Sequence, residues 1–167
     1  QVFSGGFETY KREFFPMIWS IVEDKQQNIW FASYNFGLMK FDGTSITNYS
    51  AESLQKYGSF FYFQSQVDKR GVLYFPNNFG IVYYDGKSFG SIKDRVWAST
   101  FYDEQLELLF AGRFEQVKVY NLDHKIVRLI DGPKELKMKG AVSAFGKDRN
   151  ENIWMGVRLQ NKVNYLW

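Results

Sequence analysis

The sequence repeats itself. The stretch QNIWFAS at 27 to 33 returns as ENIWMGV at 151 to 157, each behind an acidic turn, EDKQQ and KDRNE. Two weaker copies lie between them. VDKRGVLYFPNNFGIVYYDGKSF at 67 to 89 matches the first copy with Gly80 for Gly37 and Asp85-Gly86 for Asp42-Gly43, and YDEQLELLFAGRFEQVKVYNLD fills 102 to 123. Aligned in this way, the anchors are Trp30, Leu73, Leu109 and Trp154, spaced 43, 36 and 45 residues apart, with Asp24, Asp68, Asp103 and Asp148 five or six residues ahead of them. FSGGFETYK at 3 to 11 also resembles FAGRFEQVK at 110 to 118, as part of a further copy. A period of about 40 residues constrains the fold strongly, because a unit of that size cannot bury its own apolar faces and must stack on its neighbours.

Each copy reads as four strands. In the first they are predicted at 18–23, 29–33, 38–41 and 45–49, with turns at Asp24 to Asn28 and at Asp42-Gly43, where glycine accepts a positive φ. Seventeen Phe, eleven Tyr and five Trp in 167 residues favour strands. A four-stranded antiparallel unit repeated at this period is a propeller blade. The chain is therefore expected to be all-β: a β-propeller segment of about four to five four-stranded antiparallel blades, some incomplete, from a larger propeller. The units fall at about 1–15 (partial), 16–50, 58–92, 95–130 and 140–167 (partial). A sandwich of unrelated hairpins would need no such period. The anchors, Trp30 and Trp154 included, are expected to pack between blades. An incomplete ring would expose apolar blade faces, so the natural protein is expected to be longer.

Other classes find little support. The net charge is +3 and its Lys and Arg residues are scattered, which argues against nucleic acid. The densest basic stretch, KELKMKG at 134 to 140, reads as a solvated loop. There is no Cys, and hence no disulfide or thiolate metal site. No apolar run reaches membrane-spanning length, so the segment itself is expected to make no membrane contact. The sequence has neither an initiator Met nor a signal peptide, as in a piece of a longer protein. His124, the single histidine, lies in NLDHKI, where a solvated turn is expected rather than a metal ligand or a triad member. The carboxylates recur with the repeat, which implies a structural task. With no phosphate-cradling motif either, no catalytic residue, metal or cofactor is assigned.

Strand alternation sorts the loops onto two ends of the blades. Connections between first and second strands, and between third and fourth, are short and acidic, and read as turn chemistry. Connections at the other end are more varied: Tyr34-Asn35-Phe36, Asn77-Asn78-Phe79, Arg113-Phe114-Glu115 and Arg158-Leu159-Gln160, with longer segments at 51–59 and 131–140. Aromatic faces suit the C–H groups of a sugar ring, while amide and guanidinium groups suit its hydroxyls. Tyr34, Asn35, Asn77, Asn78, Arg113 and Arg158 are the candidate ligand-binding residues. Ordinary turn formation is the competing explanation for each of them.

The run IWSIVEDKQQNIWFAS-x-x-x-GLMKFD, residues 18 to 42, resembles the two-component regulator propeller repeat. The match is good over 18–50, fair over 60–92 and 142–165, and poor over 96–130. The resemblance implies the extracytoplasmic sensor region of membrane-bound hybrid sensor kinases of gut Bacteroidetes. These sensors carry two seven-bladed propellers, an immunoglobulin-like domain, a membrane helix and a cytoplasmic kinase. It implies a non-catalytic, periplasmic sensor segment that detects oligosaccharides to control glycan utilisation. The implied partners are an oligosaccharide, the remaining blades and domains of the parent chain, and a homodimer formed through the parent. The alternatives are a propeller glycosidase or lyase, against which the Ser-x-Asp-x-Gly-x-Thr-Trp box is absent, and a protein-interaction scaffold.

Overall fold

The computed structural model describes residues 17–34, 36–58, 61, 64–77, 79–93, 99–113, 116–131, 140–159 and 164–166. The expected partial unit at 1–15, and the basic stretch apart from Gly140, lie outside these residues.

The described regular elements are strands, gathered into four antiparallel sheets that each follow chain order. Blade 1 comprises β1 (Ile18–Glu23), β2 (Ile29–Ser33), β3 (Gly37–Phe41) and β4 (Ile46–Tyr49). Blade 2 comprises β5 (Gln66–Val67), β6 (Leu73–Asn77), β7 (Gly80–Tyr84) and β8 (Phe89–Ile92). Blade 3 comprises β9 (Thr100–Asp103), β10 (Leu108–Gly112), β11 (Gln116–Tyr120) and β12 (Ile126–Asp131). Blade 4 has β13 (Gly140–Lys147), β14 (Ile153–Leu159) and β15 (Asn164–Leu166). The fold is thus all-β, with three complete four-stranded sheets and one partial one.

The first strands lie side by side and are tied by polar contacts. The Ser65 amide donates to Ser20 Oγ at 2.7 Å, Thr100 Oγ1 to the Gln64 carbonyl at 3.0 Å, and the Tyr102 amide to Gln66 Oε1 at 3.2 Å. Further along, the Val142 amide donates to the Arg113 carbonyl at 3.2 Å. Around this inner line the sheets stack face to face, and each seam is an apolar layer. Trp30, Ala32 and Leu38 of blade 1 meet Leu73, Phe75 and Val82 of blade 2, with Leu54 and Phe61 of the connecting segment between them. Tyr74 and Ile81 meet Leu109, Ala111 and Tyr120 at the second seam. Phe110, Val117 and Val119 meet Val142 and Val157 at the third. Each blade therefore has a leading face toward the blade before it and a trailing face toward the blade after it, as the two-residue period of a strand requires.

Two of the expected anchors are displaced by one residue. Leu73 lies on the leading face of blade 2, and its neighbour Tyr74 occupies the trailing position that Trp30 holds in blade 1. Leu109 likewise faces blade 2, and Phe110 faces blade 4. The trailing-face anchors are Trp30, Tyr74, Phe110 and Trp154, all aromatic. The slip has a physical origin. Blade 1 joins the paired residues Ser33 and Gly37 through three residues, whereas blade 2 joins Asn77 and Gly80 through two. Alignment on the glycines shifts the second strand by one position, and in a strand one position exchanges the faces.

Trp30 is fully buried, stacked on Tyr49 at 5.5 Å between ring centroids and tilted against Tyr84 at 4.9 Å and Phe75 at 5.8 Å. Trp154 departs from its expected inter-blade burial. It is 44% exposed because no described residue covers the trailing face of blade 4. The two tryptophans should therefore respond differently to truncation. Trp30→Ala is expected to cost about 3–5 kcal/mol in urea unfolding, through the cavity it leaves, and Trp154→Ala less than half of that.

Candidate functional site

At one end of the blades the turns are fully committed to structure. In blade 1, Asp24 Oδ1 accepts from the amides of Gln26 and Asn28, both at 2.9 Å, and Oδ2 accepts from Trp30 Nε1 at 2.8 Å. Blade 2 repeats this arrangement, with Asp68 Oδ1 on the amides of Arg70 and Val72 and Oδ2 accepting from the Tyr74 hydroxyl at 3.0 Å. In blade 4, Asp148 binds the amides of Asn150 and Asn152 and, at 2.9 Å, Trp154 Nε1. In the turns between first and second strands a left-handed φ falls at Gln27, Gly71, Glu151 and, in the altered turn of blade 3, Glu107. Blade 3 differs because Phe110 has no polar hydrogen. Lys147 of blade 4 supplies the missing charge, with its Nζ 3.0 Å from the Oδ2 of the buried Asp103.

The carboxylates carry the electrostatic signature of these contacts. Burial pushes Asp24 upward, but the hydrogen bonds from Trp30, Asn28 and Gln26 outweigh it and hold the group below its ordinary value. Burial of Asp103 is likewise outweighed, by the Leu106 amide and Lys147. The Asn152 side chain and Trp154 bring Asp148 down to about 2. His124 lies in the β11–β12 turn as expected, yet it is half-buried rather than solvated. Its Nε2 is 3.2 Å from the Tyr74 hydroxyl and its ring packs 4.3 Å from that of Tyr83. Burial and then Arg70 push its pKa down. Among the described residues, no group of three or more acidic or histidine side chains is placed to hold a metal ion.

The opposite end gathers the candidate ligand residues. Tyr34 is half-buried after β2, and its amide donates to the Met17 carbonyl at 3.1 Å. Gly37 closes this loop at φ +85, so close to the Tyr49 carbonyl that no β-carbon fits. Asn77 is fully buried, and its amide is engaged by backbone at both ends. Its Oδ1 accepts from the amides of Phe79 at 2.7 Å and Gly80 at 3.1 Å, while its Nδ2 donates to the Tyr57 carbonyl at 3.2 Å. Asn77 thereby links the blade 2 loop to the segment joining blades 1 and 2, whose Leu54 and Phe61 plug the first seam. The neighbouring Phe79 is 57% exposed, a ring at this end that the candidate set omitted. Arg113 is half-buried and shares backbone bonds with Gln116 and Val142, and Arg158 is exposed opposite Ala141. Asn35 and Asn78 lie outside the described residues. The common end of the blades brings Tyr34, Phe79, Arg113 and Arg158 to one rim, distributed over four blades.

Two measurements test these assignments. Asn77→Ala removes the partner of the Tyr57 carbonyl and of two loop amides and is expected to cost about 1–3 kcal/mol in denaturant unfolding. Asp148 has a lower pKa in the folded chain than its ordinary 3.8, so its contribution to stability is complete above about pH 4 and is lost as the pH falls through about 2. The wild-type unfolding midpoint should drop across that interval, and Asp148→Asn should blunt the drop.

Residues 14–35 match the two component regulator propeller family model. No curated protein matches the chain. Among solved structures, the extracellular domain of a protein from B. thetaiotaomicron described as a hybrid two component system aligns with a TM-score of 0.70 at 12% identity, covering 96% of this chain and 22% of that one. A second extracellular domain of the same description and organism aligns with a TM-score of 0.56 at 18% identity, covering 84% and 27% of the two chains. A protein of unknown function from Bacteroides caccae aligns at 0.52 and 14% identity, covering 83% and 55%. The chain thus spans about a quarter of the two extracellular domains. Residues of its first blade thus match a two component regulator propeller repeat, and the chain has the fold of part of a larger propeller.

Proposed function

We propose that the chain is the ligand-sensing part of an extracytoplasmic propeller in a two-component signalling protein, and that its ligand is an oligosaccharide. The observation that carries this reading is the regulator propeller repeat at 14–35, set in a fold like that of extracellular domains of hybrid two component systems. The division of labour between the two blade ends supports it. One end spends the carboxylates of Asp24, Asp68 and Asp148 on backbone amides and anchor side chains, a structural task. The other end offers an exposed ring at Phe79, a half-buried one at Tyr34, and the guanidinium groups of Arg113 and Arg158. Rings and hydrogen-bond donors on one rim match the alternating apolar and hydroxyl surfaces of a sugar. Binding without bond cleavage is the task of a sensor, and occupancy of loops from several blades is a means of passing the signal between them.

Calorimetric titration with a panel of neutral and acidic oligosaccharides, with product analysis by chromatography, tests the reading. The chain is expected to bind at least one member and cleave none. Tyr34→Ala, Phe79→Ala, Arg113→Ala and Arg158→Ala are each expected to weaken that binding about 10-fold where the side chain touches the sugar. A chain that binds no sugar, that hydrolyses one, or whose affinity survives all four changes together overturns the proposal.

A further inference from the structure

The turn between third and fourth strands is built differently in blade 3. In blades 1 and 2 the Asp42 and Asp85 amides donate to the Ser45 and Ser88 carbonyls, three residues on, and the positive φ falls on Gly43 and Gly86. A β-carbon at either glycine would meet nothing within 4 Å. In blade 3 the Asn121 amide donates to the Lys125 carbonyl, four residues on, and the positive φ, 61°, falls on His124. Asn121 Oδ1 secures this longer turn by accepting from the amides of Asp123 and Lys125. The histidine, the only one in the sequence, is thereby carried across the second seam to blade 2.

At the seam the imidazole joins a cluster centred on the Tyr74 hydroxyl. That hydroxyl donates to Asp68 Oδ2 at 3.0 Å, and its oxygen has Arg70 Nη2 at 3.4 Å and His124 Nε2 at 3.2 Å. A carboxylate only accepts and a hydroxyl has one hydrogen, so neutral His124 meets the oxygen with an Nε2–H and keeps its lone pair on Nδ1. The Tyr74 ring stands edge-on to the imidazole at 5.7 Å, and that of Tyr83 lies against it at 4.3 Å. The charged groups around it are Asp68 and Arg70 in the β5–β6 turn and the exposed Asp123 and Lys125 in its own turn. Arg70 Nη2 also donates to the Leu122 carbonyl at 2.5 Å, so the same turn is held to blade 2 twice.

We propose that neutral His124 latches blade 3 to blade 2, and that proton uptake at Nδ1 releases the latch and opens this end of the second seam. The imidazolium would stand half-buried beside the Arg70 guanidinium. Asp68 would favour it, but its oxygens already accept from Tyr74, from the Arg70 side chain and from the amides of Arg70 and Val72. Asp123 is exposed and screened by water. Burial and then Arg70 therefore hold the imidazole below its ordinary 6.5. The separated seam binds the proton more tightly than the closed one, so the latch is intact above about pH 6.5 and is lost as the pH falls through the folded value. The Arg70–Leu122 contact is lost with it. The latch is independent of what the rim binds, and it makes the packing of two blades respond to acidity.

A proton NMR titration of the 167-residue chain reads its single imidazole directly, and the midpoint is expected below 6.5. Arg70→Gln should move that midpoint upward. Amide exchange, normalised to intrinsic rates, reads the latch itself. Protection of the 121–125 turn should fall at least about threefold from about pH 7.5 to about pH 5.0 in the wild type, while the strands of the first seam hold theirs. His124→Asn accepts the left-handed φ but does not titrate, and should show less than about half of that fall. A midpoint at or above 6.5, or a wild-type turn whose protection does not change, overturns the proposal. A fall of equal size in His124→Asn, or one shared equally by the first seam, overturns it as well.

Discussion

The structure depends on the hydrogen bond from an aspartate at the first turn of a blade to the aromatic anchor on its second strand. Asp24, Asp68 and Asp148 each use one carboxylate oxygen to shape the turn through two backbone amides and the other to hold the anchor. A single side chain therefore couples local chain reversal to the packing of one sheet on the next. The anchor's polar atom, which would be costly to bury alone, is satisfied before the seam closes. Charge-assisted bonds of this kind account for the lowered pKa values of Asp24 and Asp148.

Blade 3 shows what happens when that coupling is broken. Phe110 packs between Phe101 and Phe145 but offers no hydrogen to Asp103, which is nonetheless buried. Lys147 crosses the seam to neutralise it, and also contacts Glu151 in its own turn and Gln105 in the facing one. The demand is met between blades instead of within one. Related cross-seam contacts run along the same end, with Lys25 reaching the Lys69 carbonyl, Lys69 pairing with Glu107, and Arg70 donating to the Leu122 carbonyl at 2.5 Å. This end is a brace, which leaves the opposite rim free to vary.

The fold class was legible because period and strand chemistry agree: turns built on Asp and Gly recur about every 40 residues around aromatic-rich strands. The anchors of blades 2 and 3 were not, because a tryptophan marks the position only in blades 1 and 4. Where Tyr74 and Phe110 replace it, the adjacent Leu73 and Leu109 look equally apolar, and only the strand register reveals which face each residue takes. The constant six-residue interval from Asp24 to Trp30, Asp68 to Tyr74 and Asp148 to Trp154 was a sequence signal for blade 2. No similar interval marks blade 3, where Asp103 pairs directly with Leu108 and the anchor falls seven residues on. At the candidate rim, sequence reasoning found the loops but not the allegiance of their side chains. Asn77 reads as a sugar-binding amide until the Tyr57 carbonyl, 20 residues away in sequence, is found against it. Phe79 went unmarked because a phenylalanine before glycine looks like a core plug.

The connecting segment between blades 1 and 2 gives this arc an uneven resistance to opening. In a stack where each unit touches only its neighbours, stability is close to a sum over seams, and the chain can open at one seam while the others hold. The first seam is closed by Trp30 and its surrounding rings, by Leu54 and Phe61 inserted from the connecting segment, by the Tyr57 hydroxyl bonded to the Phe89 carbonyl, and by Asn77. Amide exchange should therefore be slowest in the strands that line this first seam, so a rim ligand that bridges blades 1 and 2 meets a platform that is already ordered.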